Sequence, residues 1–235
     1  MYGAIGYLNY IQMGTRLDIS CPLKILSPFA AKFGKRHVAL AKHMMRWLKT
    51  TINHQITLSG SDDPQIQLFT DTSHASNPDN RKSITAVMGK MGGNTIFWKC
   101  LYQKIVSHSS CESELMALDK GATMGLFLRW LTEAMGGAIR TPVPIFVDNQ
   151  GAISIANNPV GPHRNLHIHA RYFYVRDLVE GHEYVIHYVN TNDQIADMLC
   201  TYKGSASFMR FFNLASRVAV LIRNKHGIWE WKTSR

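Results

Sequence analysis

Between Gln65 and Lys99 the chain carries short runs of β-forming residues: Gln65 to Asp71, Ser83 to Lys90 and Asn94 to Lys99. They are cut apart by the turn signals Asn77-Pro78-Asp79-Asn80 and Gly92-Gly93. Runs so short and so closely punctuated predict a three-stranded meander. A helical pattern follows. Ser109-Ser110-Cys111-Glu112 supplies a capping box, and Leu115, Leu118, Ala122, Leu126 and Met135 mark a long helix that stops at Gly136-Gly137. Pro144 to Asp148 is an apolar run of the buried-strand kind, with a short helix over Asn149 to Asn157 and a second over Asn165 to Val179. Glu183 to Val189 reads as a further strand, and Thr191-x-x-Gln194 as a capping box opening a helix through Ala196, Met198 and Leu199. The order βββαβααβα predicts an α/β domain.

The flanks differ in texture. Residues 1 to about 55 are helical in pattern and basic, with Val38, Ala41, Met45 and Leu48 at one spacing and Lys42, Arg46 and Lys49 on another face. That basic face suits phosphate, and equally suits a solvated surface. Polar Ser59-Gly60-Ser61-Asp62-Asp63-Pro64 marks a boundary. The expected division is a helical segment over 1–60, the α/β domain over 61–205 and an extension over 206–235, with Arg223 to Arg235 as a tail.

Charge narrows the partner. Twenty-six Lys and Arg against 16 Asp and Glu leave +10, which favours a polyanion such as nucleic acid. The four cysteines, Cys21, Cys100, Cys111 and Cys200, form no C-x-x-C pair, so neither a zinc knuckle nor a disulfide framework is expected. No apolar run approaches the roughly 18 residues of a membrane helix, and the N-terminus lacks a signal-peptide pattern. These features predict an intracellular chain, cytoplasmic or nuclear, neither secreted nor membrane-bound.

Among the acids of a basic chain, the informative ones stand where strands end or helices begin. Asp71 ends the first strand, Glu114 lies in the opening turns of the long helix, Asp148 ends the buried strand and Asp197 follows the last capping signal. Gathered on one sheet, such carboxylates repel one another unless a cation neutralises them, and Mg²⁺ is the cation that hard oxygens suit. Two such ions roughly 3.5–4 Å apart serve phosphodiester cleavage. Taken one at a time, each acid is equally explained as a cap or a surface group.

The motifs go further. Phe69-Thr70-Asp71, Asn80-Arg81-Lys82-Ser83, Trp98-Lys99, Ser109-Ser110-Cys111-Glu112-Ser113-Glu114-Leu115-Met116-Ala117-Leu118, Val147-Asp148-Asn149-Gln150-Gly151-Ala152-Ile153, Ala156-Asn157-Asn158-Pro159 and Gln194-Ile195-Ala196-Asp197 occur in that order. Together they closely resemble the ribonuclease H region of copia-type retrotransposon polyproteins. The resemblance covers about Gln65 to Lys203. Upstream, Gly14-Thr15-Arg16-x-Asp18-Ile19 and the Trp47-Leu48-Lys49 helix look like the segment that joins the reverse transcriptase to it.

The resemblance implies a ribonuclease H-like mixed five-stranded sheet flanked by helices, with a small helical N-terminal segment. It implies two Mg²⁺ ions, with Mn²⁺ able to substitute, and hydrolysis of the RNA strand of an RNA/DNA hybrid. The family's D-E-D-D quartet falls on Asp71, Glu114, Asp148 and Asp197. By the same resemblance Asp71 bridges both ions, Glu114 and Asp148 complete one site, and Asp197 holds the second. Glu112 is the rival for the helix position and is better explained as a capping residue. Other retroelement polyprotein products are further partners that the resemblance suggests.

Departures stand beside the matches. Asp71-Thr72-Ser73-His74 lacks the second acid and the aromatic usual after the first strand; Cys100-Leu101-Tyr102 replaces a basic stretch; Leu17 stands where the connector has proline. Asn190 and Asn192 occupy the loop where cellular enzymes carry a histidine, and the polymerase palm is missing. The alternative reading is therefore a catalytically inactive nucleic-acid-binding fragment or an inert element relic.

Arg81, Lys82, Lys99 and Lys104 flank the hairpins and suit a hybrid's backbone, read by shape and by the 2′-hydroxyl. Ser110, Asn149 and Gln150 are donors near the carboxylates, and Arg164 and Arg171 offer charge-assisted bonds to phosphate. His163, His167 and His169 lack a further ligand at metal spacing and are read as part of a polar helix face. Trp98 reads as core and Cys111 as structural. Gly92-Gly93 lacks phosphate-loop spacing.

Overall fold

Leu68 and Phe69, neighbours in the first strand, are both fully buried, which requires cover on both faces of the sheet. The computed structural model describes residues 1–60, 64–157, 166–201, 205–217 and 219–233; the side chains of 166–172, 205, 220 and 233 lie outside that description. Strands β1 (Ile66–Ser73), β2 (Ile84–Met91) and β3 (Asn94–Tyr102) form the meander, and α4 (Ser110–Ala134) crosses over to β4 (Val143–Val147). Helices α5 (Gln150–Asn157) and α6 (Leu166–Glu180) lead to β5 (Tyr184–Tyr188). The sheet order is β3-β2-β1-β4-β5, antiparallel from β3 to β1 and parallel from β1 to β5. This is the ribonuclease H-like mixed five-stranded sheet that the sequence predicts.

Alternation along β1 divides the cover. Leu68 points, with Ile145 and Val147, to the face under α4, where Leu118 and Ala122 complete a core. Phe69 points, with Ala86, Met88 and Phe146, to the other face. That face is closed by a 3₁₀ turn, Ile195–Leu199, by α7 (Ser205–Ser216), and by a hairpin of β6 (Ala219–Arg223) and β7 (Trp229–Thr233). Trp231 stacks on Phe69 at 5.4 Å between ring centres, and Trp229 meets Phe146 edge-on at 4.9 Å. The stretch expected as a tail thus carries a strand packed against the core, its alternating Trp229 and Trp231 being the period-2 signal of β7.

Before the sheet, α1 (Tyr2–Gly14), α2 (Ser20–Leu26) and α3 (Lys35–Thr50) gather around Leu8, Ile19, Leu23, Leu26, Ala41 and Met44. Met44 rather than Met45 faces inward, and Met45 is exposed. The Gly14-to-Ile19 motif has a structural explanation. Arg16 grips Asp18 with two bonds of 2.9 and 2.7 Å, and Trp47 Nε1 donates to Asp18 Oδ2 at 2.6 Å. Leu17, between them, is buried in the sheet-face core, so the helical segment is joined to the sheet there. Trp98 is half-buried against the same core and donates from Nε1 to Gln12 O. No helix among the described residues is long and apolar enough to cross a membrane.

Candidate metal centre

Register brings the strand-end acids together. Parallel β1 and β4 pair Leu68 with Ile145 and Phe69 with Phe146; two residues further on, the same register sets Asp71 beside Asp148. Helix α4 lies across β1, with Ser109 Oγ accepting from Glu112 N and Glu112 Oε2 accepting from His108 N, so Glu112 serves as a cap. One half-turn on, Glu114 reaches the strand end. Asp197 arrives from the Ile195–Leu199 turn.

All four predicted acids therefore converge. Carboxylate oxygens of Asp71, Glu114 and Asp148 lie within 4.8 Å of one another, and the same limit holds for Asp71, Asp197 and the Cys200 Sγ. Asp71 is common to both groups. Asp71, Glu114 and Asp197 are each only 5% exposed, whereas Asp148 is half-buried. Neighbours fix the oxygens: Thr72 Oγ1 donates to Glu114 Oε1 at 2.8 Å, Thr191 Oγ1 to Asp148 Oδ2 at 2.9 Å, and Cys200 Sγ to Asp71 Oδ2 at 3.0 Å.

Such crowding is electrostatically unfavourable without a counter-charge. Burial first, then Glu114, Asp197 and Asp148, push the Asp71 carboxyl well above the usual range. Burial, against the opposing Thr72 bond, pushes Glu114 up to about 8. Glu114 Oε2 is buried with no hydrogen-bond partner. Four gathered carboxylates, one with an unsatisfied buried oxygen, fit a hard divalent cation such as Mg²⁺.

The other expected residues are more dispersed. Arg81 (exposed) and Lys82 (half-buried) sit in the β1–β2 connection, while exposed Lys99 lies in the sheet-edge strand β3 and exposed Lys104 just after it. Ser110 is the first residue of α4, one turn before Glu114. Asn149 Oδ1 accepts from Ala152 N as a cap of α5, with exposed Gln150 beside it. Arg164 and His163 lie outside the described residues, as do the side chains of Arg171, His167 and His169.

Sequence reasoning missed the groups that hold the centre. The Thr191–Gln194 signal is not a capping box: Asn190 caps that turn, accepting from Asn192 N. Fully buried Gln194 instead donates to Thr70 O at 2.9 Å and Phe146 O at 3.1 Å, bridging β1 and β4 just before their acids. Cys200, three residues after Asp197, was legible only as one turn's spacing. The His74 that replaces an aromatic pairs through Nδ1 with Ser107 Oγ.

The sheet order, the α4 crossover and four converging acids define a ribonuclease H-like domain with a carboxylate centre. The chain is homologous to the Pol polyproteins of copia-type retrotransposons. It is 32% identical over 197 residues to the polyprotein of transposon TNT 1-94 of Nicotiana tabacum, covering 83% of this chain and 15% of that one. To the polyprotein of transposon RE1 of Arabidopsis thaliana it is 29% identical over 218 residues, covering 93% and 15%. The chain thus spans about 15% of the length of these curated relatives. Among solved structures it is similar to the N-terminal RNase H domain of Rv2228c from Mycobacterium tuberculosis, with 12% identity, a TM-score of 0.44 and coverage of 63% of this chain and 96% of that one. No protein-family model matches the chain.

Proposed function

We propose that the chain is a Mg²⁺-dependent endoribonuclease that cleaves the RNA strand of RNA/DNA hybrids. The observation that carries this is the convergence of Asp71, Glu114, Asp148 and Asp197 from four separate elements around one buried, unsatisfied carboxylate oxygen. Asp71 would be shared by two cation positions, with Glu114 and Asp148 on one side and Asp197 on the other. Two bound Mg²⁺ ions, or Mn²⁺ in their place, supply an activated water and neutralise the leaving oxygen in phosphodiester hydrolysis. Thr72 and Thr191 each hold one carboxylate oxygen, of Glu114 and of Asp148, which orients both acids at the centre. Arg81, Lys82, Lys99, Lys104, Arg164 and Arg171 would hold the backbone; Ser110, Asn149 and Gln150 would meet the strand next to the carboxylates. On this reading the chain would act inside the cell, in the cytoplasm or nucleus.

The test is cleavage of a labelled RNA/DNA hybrid by the purified chain with Mg²⁺ or Mn²⁺, beside single-stranded RNA. Hybrid-specific, metal-dependent cleavage is expected, and Asp71→Asn should abolish it while binding hybrid as well or more tightly, because it removes negative charge facing phosphate. Cleavage retained by the variant would sink the assignment. Folded wild-type protein that binds hybrid without cutting it would make the chain a binding module instead.

A further inference from the structure

One ligand-capable atom of the centre is not an oxygen. Cys200 is 2% exposed, and its Sγ lies 3.0 Å from Asp71 Oδ2 and within 4.8 Å of a ligand oxygen of Asp197. The backbone keeps these groups together: Cys200 N donates to Asp197 O at 3.2 Å, closing the turn that presents both side chains. A tetrahedral cation with bonds of about 2.0 to 2.3 Å holds its ligand atoms roughly 3.5 Å apart. Asp71, Asp197 and Cys200 can therefore close round one ion with small side-chain shifts, leaving a fourth position for water or phosphate. A separate sign that the cluster is built for positive charge comes from the opposite side of Asp71, where Glu114 Oε2 is buried without a partner.

We propose that the Asp71–Asp197–Cys200 half of the centre takes a thiophilic divalent cation of the zinc class, with Cys200 as a ligand. The proposal rests on the reading of the acidic cluster as a cation site and adds a selectivity that four carboxylates do not have. Sulfur ligands select zinc-like ions, whereas carboxylate oxygens suit magnesium and manganese. The two halves therefore differ: Asp71, Glu114 and Asp148 form an all-oxygen set, and Asp71, Asp197 and Cys200 a mixed one. On ligation the thiol proton leaves to solvent. A zinc-class ion would then compete with Mg²⁺ at one half only.

The reduced full chain is titrated with Cd²⁺, read by the ultraviolet thiolate-to-cadmium charge-transfer band. In parallel, Mn²⁺ binding is read from the electron paramagnetic resonance signal of the free ion, and folding from circular dichroism. The wild type should develop the band with a single equivalent and lose it on adding Zn²⁺. Cys200→Ser should lose the band and bind Cd²⁺ at least about tenfold more weakly, while still binding Mn²⁺. Asp197→Asn, which keeps the thiol, should also weaken Cd²⁺. A band that survives in Cys200→Ser, Cd²⁺ affinity unchanged in Asp197→Asn, or no band in wild-type protein that binds Mn²⁺ would each overturn the proposal and leave the cation-site reading standing. Folded wild type that binds neither cation overturns both.

Discussion

The amide of Gln194 donates to the buried carbonyls Thr70 O and Phe146 O and accepts from Ala196 N with its own Oε1. Replacing it by leucine keeps the volume and removes all three bonds. At about 0.5–1.5 kcal/mol for each hydrogen bond lost, Gln194→Leu is expected to lose about 2 to 4 kcal/mol in urea denaturation. Asp71 and Asp148 would separate as the strands do, so hybrid cleavage should fall as well; a variant as stable as the wild type would show that the bridge is dispensable. Lys90 is the second informative residue. It is fully buried, and its Nζ donates to Leu214 O at 2.8 Å and Arg217 O at 3.2 Å, taking up carbonyls at the end of α7. Burial pulls this ammonium down to about 7. Between that value and the ordinary 10.5 the unfolded chain binds one more proton than the folded one. Folding is then opposed most fully below pH 7, and stability rises with pH across that window by up to about 1.4 kcal/mol per unit. The Lys90→Met variant should lack this rise, and parallel stability–pH curves for the two proteins would refute it.

Helix α4 illustrates how an element delivers a residue. Its Gly121 and Gly125 face β1, where a Cβ at Gly121 would strike Thr70 Cγ2 and one at Gly125 would strike Leu68 Cδ1 and Tyr184 Oη. Glycine in a helix interior normally weakens it, and here the lost propensity is exchanged for close approach to the strand. That approach lets Ser113 Oγ and Glu114 Oε1 both reach Thr72 Oγ1, at 3.1 and 2.8 Å. Gly121→Val adds a stiff branched side chain against a stiff threonine. It should lower stability by about 1 to 3 kcal/mol in chemical denaturation and draw Glu114 away from Thr72. Unchanged stability would mean that the helix can lift without penalty. The helix itself was legible, because Ser109 and Glu112 announce its start and the leucines its face. The glycines were not: in sequence they are merely tolerated, and only the strand beneath explains them.

Across the whole molecule the C-terminal hairpin belongs to the core. Gln67 pairs with the backbone of Leu221 in both directions, Nε2 donating to its carbonyl at 2.7 Å and Oε1 accepting from its N–H at 3.0 Å. With Trp229 and Trp231 on the phenylalanines of β1 and β4, the hairpin covers the sheet face that carries Asp71. A chain ending at Arg217 would expose Phe69 and Phe146. Large core aromatics are worth about 3–5 kcal/mol each when removed, so the truncated protein should lose its cooperative thermal transition and bind a hydrophobic dye. A sharp transition near that of the full chain would return the hairpin to the status of a tail. What the sequence determined by itself was periodic or local: the strand and helix order, the caps, and the four acids, each placed by a strand end or a helix start. Such features depend on neighbours a few residues away. Tertiary structure alone decided which acids meet, that Gln194 bridges two strands as well as capping the Ile195–Leu199 turn, that Lys90 ends α7, and that Cys200 joins the centre. Those contacts join residues as far apart as Asp71 and Cys200, or Lys90 and Leu214, and no pattern along the chain encodes them because they exist only once the sheet is closed on both faces.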